Sequence, residues 1–186
     1  MCGIVGYLGL KDASPIILNG LKRLEYRGYD SAGISIYNGN KILTRKSKGK
    51  IDTLEKSITK VKSFKGNLGI GHTRWATHGE PNNKNAHPHV SNSNELHIVH
   101  NGIIENYSSL KEELITKGFH FNSDTDTEVL VNLIEYIQIK EKIKLGEAVQ
   151  LALNQVVGAY AIAVIDIKKP DEIVVAKLGS PLCIGI

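Results

Sequence analysis

Met1-Cys2-Gly3-Ile4-Val5-Gly6-Tyr7-Leu8 opens the chain. Ile4 to Leu8 is a short apolar run between Gly3 and Gly9 and reads as a buried strand. Met1 is usually trimmed when a small residue follows it. Cys2 then becomes the N-terminus and carries both a thiol and a free α-amine. A free Cys thiol has a pKa of about 8.5 and is only slightly ionised at neutral pH. An α-amine titrates at about 7.7–8.0, so a large share of it is neutral and basic in the cell. Nucleophile and base thus arrive in one residue at the head of a strand. The plain alternative is a small apolar residue that merely starts the strand.

Outward from this stretch, Ser14-Pro15 is a helix start, with Ser14 as N-cap and Pro15 at the first helical position. Ile17, Leu18, Leu21 and Leu24 give the helix its apolar stripe, and Gly28 reads as its C-cap. Ala32 to Tyr37 and Lys41 to Lys46 form a hairpin about Asn38-Gly39. Asp52 and Glu55 make a capping box for a short helix to about Val61. Leu68 to Thr73 is a strand in which Gly69 and Gly71 signal a close backbone approach. Arg74 to Glu95 is a long polar stretch of the kind that forms lids and binding loops. Leu96 to His100 is a strand ending at Asn101-Gly102. Helices follow at Tyr107–Thr116, from Asp126 through Ile137, and at about Leu145–Val156. Ala159–Ile167, Glu172–Lys177 and 182–186 read as strands. Strands and hairpins mix with paired helices without regular βαβ alternation, so the fold class is α+β. The last strand has nothing after it, which reads as an incomplete C-terminal end.

The 186 residues suit one domain with a real core, and 41% hydrophobic with 23% charged residues is ordinary for a globular chain. The net charge of +4 is modest. Lys41, Arg45, Lys46, Lys48 and Lys50 cluster, but no aromatics interleave with them, so a solvated strand face is favoured over a nucleic-acid site. Cys2 and Cys183 form neither a disulfide framework nor a zinc ribbon. No apolar run reaches the roughly 18 residues of a membrane span, and no signal-peptide pattern opens the chain. A cytoplasmic location is expected, with no membrane or nucleic-acid partner.

Dense polar and glycine-containing stretches lie at the predicted strand ends. Asn101-Gly102 suits an oxyanion hole, since a side-chain amide and an adjacent backbone N–H converge on one oxygen; a simple Asn-Gly turn is the alternative. Arg74 suits a carboxylate in a bidentate fork, or else a surface ion pair. Asp126 suits an ammonium group, or a helix N-cap, or both. Trp75 is the single Trp and either closes over a ligand or packs in the core. His72, His78, His87, His89, His97 and His100 raise the question of a metal. The spacing of His78, His87 and His89 matches no familiar ligand pattern, so neither metal nor cofactor is expected.

Together, Cys2–Gly6, Leu24–Gly33, Gly71 to Gly79, His100–Asn106, Thr125–Glu128 and Gly179–Leu182 resemble the glutaminase domains of the glucosamine-6-phosphate synthase family. These are class II glutamine amidotransferases of the N-terminal nucleophile hydrolase type. The resemblance implies a four-layer αββα sandwich. It also implies a type 2 amidotransferase domain over residues 1–186 that is incomplete at its C-terminal end, with the sugar isomerase domains absent. It implies Cys2 as nucleophile, with Asn101 and Gly102 as oxyanion hole. Arg74 would hold the glutamine α-carboxylate and Asp126 the α-amine. Thr77 and His78 would complete the pocket wall, Trp75 would lie on the closing loop, and Arg27 would support the nucleophile's surroundings. L-Glutamine is the implied substrate, a sugar-phosphate isomerase domain the implied partner in the same chain, and a homodimer a compatible assembly. The ammonia would go to fructose 6-phosphate. The rival readings are a glutaminase domain of another amidotransferase and a non-catalytic module that binds glutamine or a partner chain.

Overall fold

The computed structural model describes residues 2–61, 63–75 and 80–185. Its strands are β1 (Gly3–Leu8), β2 (Ser31–Tyr37), β3 (Ile42–Lys48), β4 (Leu68–Arg74), β5 (His89–Val90), β6 (Leu96–Ile104), β7 (Gly158–Asp166) and β8 (Lys169–Leu178). Its helices are α1 (Ala13–Leu24), α2 (Ile51–Thr59), α3 (Tyr107–Thr116), α4 (Asp126–Glu141) and α5 (Leu145–Leu153). The strands make two four-stranded sheets, ordered β1-β4-β2-β3 and β5-β6-β7-β8, with antiparallel pairing throughout each.

Three apolar clusters define the layers. Ile17, Leu18 and Leu21 of α1 and Ile51, Leu54 and Ile58 of α2 pack on Ala32, Ile34 and Ile36 of the first sheet. Val129, Leu130, Leu133 and Ile134 of α4, with residues of α3 and α5, pack on Leu96, Ile98, Ile162 and Val164 of the second. Between the sheets lie Leu68 and Ile70 from one and Val99, Ala163 and Ile165 from the other. Alternation along β6 sends Ile98 to the helices and Val99 to the opposite sheet, as a strand buried on both faces requires. The order is helix, sheet, sheet, helix, which is the expected αββα sandwich.

Several boundaries differ from the sequence reading, each for a local reason. The N-cap of α1 is Asp12, not Ser14: its Oδ1 accepts from the backbone N–H groups of Ser14 at 3.2 Å and Gly66 at 3.3 Å. Asp52 and Glu55 do not form a capping box. Asp52 lies inside the first turn of α2, and the Ile51 N–H is satisfied from outside by Glu25 Oε1 at 2.8 Å. Asn101-Gly102 is no turn. Strand β6 runs on to Ile104 and pairs Asn101 with Ala161 and Gly102 with Tyr160. Asp126 is the first residue of α4, and Thr125 is its N-cap. Residues 181–185 have no regular structure, so the expected final strand is not formed. In the basic cluster Lys46 is half-buried, and burial lowers its ammonium pKa to about 8. The face is therefore not uniformly solvated.

The long polar stretch is the largest departure. Asn85, Ala86, His87, His89 and Ser91 are buried, so much of it is interior wall rather than lid. Its approach to the first sheet depends on Gly33, where an added Cβ would sit 2.1 Å from the His87 carbonyl oxygen. Gly33→Ala is expected to destabilise the protein by about 2 kcal/mol. Urea unfolding should show a lower midpoint at unchanged m; an unchanged midpoint would mean the His87 segment is not held against β2.

Candidate active site

The antiparallel pairing of β1 with β4 sets Gly3 opposite Thr73. Cys2, one residue before, therefore reaches the end of β4. Its Sγ accepts a hydrogen bond from the Trp75 N–H at 3.2 Å and lies 3.5 Å from the Trp75 carbonyl oxygen. The Gly3 N–H donates to Thr73 Oγ1 at 3.1 Å, which anchors the entry to the strand. The Cys2 carbonyl accepts from Arg27 Nε at 3.3 Å and from Asn101 Nδ2 at 3.2 Å. Gly28 is needed for contact rather than as a left-handed cap. Its backbone is extended, and a Cβ there would meet the Arg74 carbonyl carbon at 2.7 Å.

Cys2, Arg27, Arg74, Trp75, Asn101, Gly102 and Asp126 line one cavity of about 380 Å³, a size that suits a small metabolite. Every proposed site residue among those described faces this space. Thr77 and His78 lie outside the described residues. Gly102 has φ +136°, and an added Cβ would lie 1.9 Å from the Ala159 carbonyl oxygen. Only glycine fits this backbone beside β7.

Arg74 is 4% exposed, so it is no surface ion-pairing residue. Its Nη1 donates to the Glu80 carbonyl at 3.5 Å. Burial lowers its pKa, and the negative charges available at Cys2, Asp30 and Asp126 act the other way. Asp126 is also buried. One oxygen accepts from the Ile104 N–H at 2.8 Å, and the other accepts from Thr127 Oγ1 at 3.3 Å and lies 4.0 Å from His100 Nδ1. Trp75 is 46% exposed and meets Tyr29 edge to face, with centroids 5.6 Å apart, so it is not a core residue.

The sequence reading did not place His72, His87, His100, Ile103, Thr125, Thr127, Ala161, Gly179, Ser180 and Pro181 in the cavity wall. Thr125 and Thr127 flank Asp126, and 179–181 fall in one of the stretches that carry the resemblance. The histidines carried a signal that was read as a metal question. Among the described residues no group of three or more His, Cys, Asp or Glu is arranged to hold a metal ion. Instead, the rings of His72 and His87 stack at 4.2 Å, and His87 meets His89 edge to face at 4.8 Å. No helix among the described residues is long and apolar enough to cross a membrane.

A family model described as a glutamine amidotransferase domain matches residues 59–181. The whole chain is 58% identical over 187 residues to glutamine–fructose-6-phosphate aminotransferase (isomerizing) of Bacteroides thetaiotaomicron, and covers 30% of that protein. It is 52% identical over 189 residues to the protein of that name in Chlorobaculum tepidum, covering 31% of it. The chain thus spans about 30% of the length of the curated relatives it matches. Among solved structures, glutamine phosphoribosylpyrophosphate (PRPP) amidotransferase from B. subtilis, complexed with ADP and GMP, superposes with TM-score 0.76 at 31% identity. That match covers 90% of this chain and 35% of the other.

The buried histidines make stability depend on pH. Burial lowers the pKa of His72 and His97 to about 3, and that of His87 and His89 well below 6.5. His87 and His89 are also repelled by neighbouring cations. In the unfolded chain these rings titrate at about 6.5. Between about pH 3 and 6.5 the unfolded state therefore binds more protons, and stability rises with pH. Acidification from pH 7 to 5 should lower the melting temperature and give proton uptake on unfolding. A flat melting curve over that range would contradict neutral burial.

Proposed function

From the premise that the chain belongs to the glutamine amidotransferase domain family, we propose that it hydrolyses the side-chain amide of L-glutamine to glutamate and ammonia, with Cys2 as nucleophile. One observation carries the reading. The Cys2 thiol, the Asn101 amide, the buried Arg74 cation and the buried Asp126 anion all face a single cavity. An α-amino acid with an amide at its far end presents the complementary groups: a carboxylate for Arg74, an ammonium for Asp126 and a carbonyl carbon for the thiol.

Cys2 Sγ attacks the amide carbon, and the free α-amine of Cys2 accepts the thiol proton. Negative charge gathers on the former carbonyl oxygen. There an Asn101 Nδ2–H and the Gly102 N–H are the donors to hand, and one such donor is worth about 10²–10³ in rate. The amine returns its proton to the departing nitrogen, which leaves as ammonia. A water activated by the same amine then opens the thioester and releases glutamate. Arg27 holds the Cys2 carbonyl and thereby the nucleophile's backbone. Trp75 completes the wall around glutamine.

We propose further that this ammonia is destined for fructose 6-phosphate, to form glucosamine 6-phosphate, with a sugar-phosphate isomerase domain as partner. The names of the relatives at 58% and 52% identity support that acceptor over phosphoribosylpyrophosphate, whose enzyme stands at 31%. A cytoplasmic location and a homodimeric assembly belong to the same reading.

A diazo-ketone analogue of glutamine is the direct test. It should add once, at Cys2 of the protein lacking Met1, and Cys2→Ala should neither add it nor release glutamate. Arg74→Lys should raise the glutamine KM by about 10- to 100-fold, since it keeps the charge but loses the bidentate guanidinium fork. Extending the N-terminus should stop turnover, because it abolishes the free amine. Unchanged glutamate release by Cys2→Ala would overturn the mechanism.

A further inference from the structure

We infer that His72 is a positioning residue for the oxyanion site. Its Nε2–H holds the Asn101 carboxamide in the one orientation that turns the NH2 group towards Cys2. The inference rests on the reading of Asn101 as an oxyanion donor, and it adds a residue to which nothing above gives a role in the chemistry.

The argument is one of forced donors. The Cys2 carbonyl oxygen can only accept, and it lies 3.2 Å from one terminal atom of the Asn101 side chain. That atom must therefore be Nδ2. The other terminal atom is then Oδ1, an acceptor, and it lies 2.9 Å from His72 Nε2. The second neighbour of His72 Nε2 is the His100 carbonyl oxygen at 3.1 Å, again an acceptor. Two acceptors facing one ring nitrogen require that nitrogen to carry the proton. His72 is thus the Nε2–H tautomer, and its bifurcated bond ties the Asn101 side chain to the backbone of the preceding residue.

The rest of the ring agrees with this state. His72 Nδ1 is buried without a hydrogen-bond partner among the described residues, as suits a nitrogen left with its lone pair beneath the stacked His87 ring. A proton there would be a buried charge close to Arg74, and burial holds the ring neutral down to about pH 3. The ring therefore stays neutral at neutral pH, and the two acceptors at Nε2 select its Nε2–H form. Asn101 Nδ2 has two hydrogens. One is directed at the Cys2 carbonyl, and the other has no acceptor among the described residues and is the one offered to the substrate oxygen. If the carboxamide flipped, Oδ1 would face both the Cys2 carbonyl and the developing oxyanion, and repel them.

The test compares wild type, His72→Phe and His72→Gln for glutaminase turnover, with 15N NMR of the wild-type imidazoles. His72→Phe keeps a ring against His87 but has no donor, whereas the Gln side-chain NH2 can donate to Asn101 Oδ1. For His72→Phe we expect kcat to fall by about 10²-fold, the worth of one oxyanion donor, with glutamine KM within about threefold because the ground-state grips are untouched. His72→Gln should recover most of the loss, and alkylation of Cys2 by iodoacetamide should be alike in all three. NMR should find His72 neutral and protonated at Nε2 from about pH 5 to 8. A kcat for His72→Phe close to wild type, or a loss confined to KM, overturns the proposal. So does an Nδ1–H tautomer, which also decides the matter if His72→Phe does not fold. Absence of turnover in wild type would overturn the glutaminase reading itself, and the proposal with it.

Discussion

Six consecutive antiparallel pairs join β1 to β4, from Leu8 with Leu68 to Gly3 with Thr73. Strand β1 lies at the edge of its sheet, so β4 is the sole strand that fixes its position there. The register is set by burial. A slip by one residue would send Ile4, which belongs to the inter-sheet core, to the helix face, and Val5 to the inter-sheet face. That same register puts Cys2 level with Arg74 and Trp75. Position of the thiol is thus a by-product of hydrophobic sorting along a six-residue strand, and no side-chain contact of its own is needed to bring it there. Contacts made by Cys2, through Sγ to Trp75 and through its carbonyl to Arg27 and Asn101, then fix its orientation.

The opposite wall of the cavity comes from the other sheet, and its placement depends on the core between the sheets. Leu68 and Ile70 on β4 meet Val99 on β6 and Ala163 and Ile165 on β7. Val99 is two residues before Asn101, and Ile70 is four before Arg74. The groups that meet at the cavity are therefore continuations of the strands that pack most tightly behind it. The burial of β6 is interrupted after His100, where Asn101, Gly102 and Ile103 are open towards the cavity, and resumes at Ile104. Continuing the strand past the packed region gives a rigid edge to the site, which loop residues could not provide as well.

Most of the architecture was legible from local pattern. Elements with an apolar period and a clear break, such as α1, α3 and the β2–β3 hairpin, stand close to where spacing puts them. The α4 face of Val129, Leu130, Leu133, Ile134 and Ile137 is buried as periodicity implies. What was not legible depended on partners distant in sequence. Asp52 looks like a cap, but Glu25 reaches Ile51 from another element and takes the place. Asn101-Gly102 has turn chemistry, but β7 pairs with it and makes it strand. Asp126 looks like an N-cap, yet its carboxylate accepts from Ile104 on the neighbouring strand while Thr125 caps the helix. The candidate site was legible as a set of residue types through resemblance, whereas its hidden wall was not. Residues 85–91 are polar enough to read as a surface loop, and they are buried because their polar atoms find one another: the Asp124 N–H donates to Asn85 Oδ1, and His89 Nε2 pairs with Thr125 Oγ1.

Those buried histidines bear on how the site keeps its charge pattern. Arg74 and Asp126 are both desolvated, and each is useful to a zwitterionic ligand only while it remains available to that ligand. A protonated imidazole beside Arg74 would repel the guanidinium and attract the ligand's carboxylate. Burial above all disfavours the charged form of His72, His87 and His89, and the positive charge available nearby, on other imidazoles and on Arg74 or Lys46, acts the same way. The rings therefore serve as neutral hydrogen-bonding spacers. They carry donors and acceptors to Asn101, Thr125 and Thr127 without adding charge, a combination that Lys or Arg could not offer and that an aliphatic side chain would forfeit. The cost is borne in acid, where the unfolded chain gains protons that the folded one refuses. The preference for histidine here follows from the need to place polar atoms deep in the cavity wall without adding to the charges of Arg27, Arg74 and Asp126.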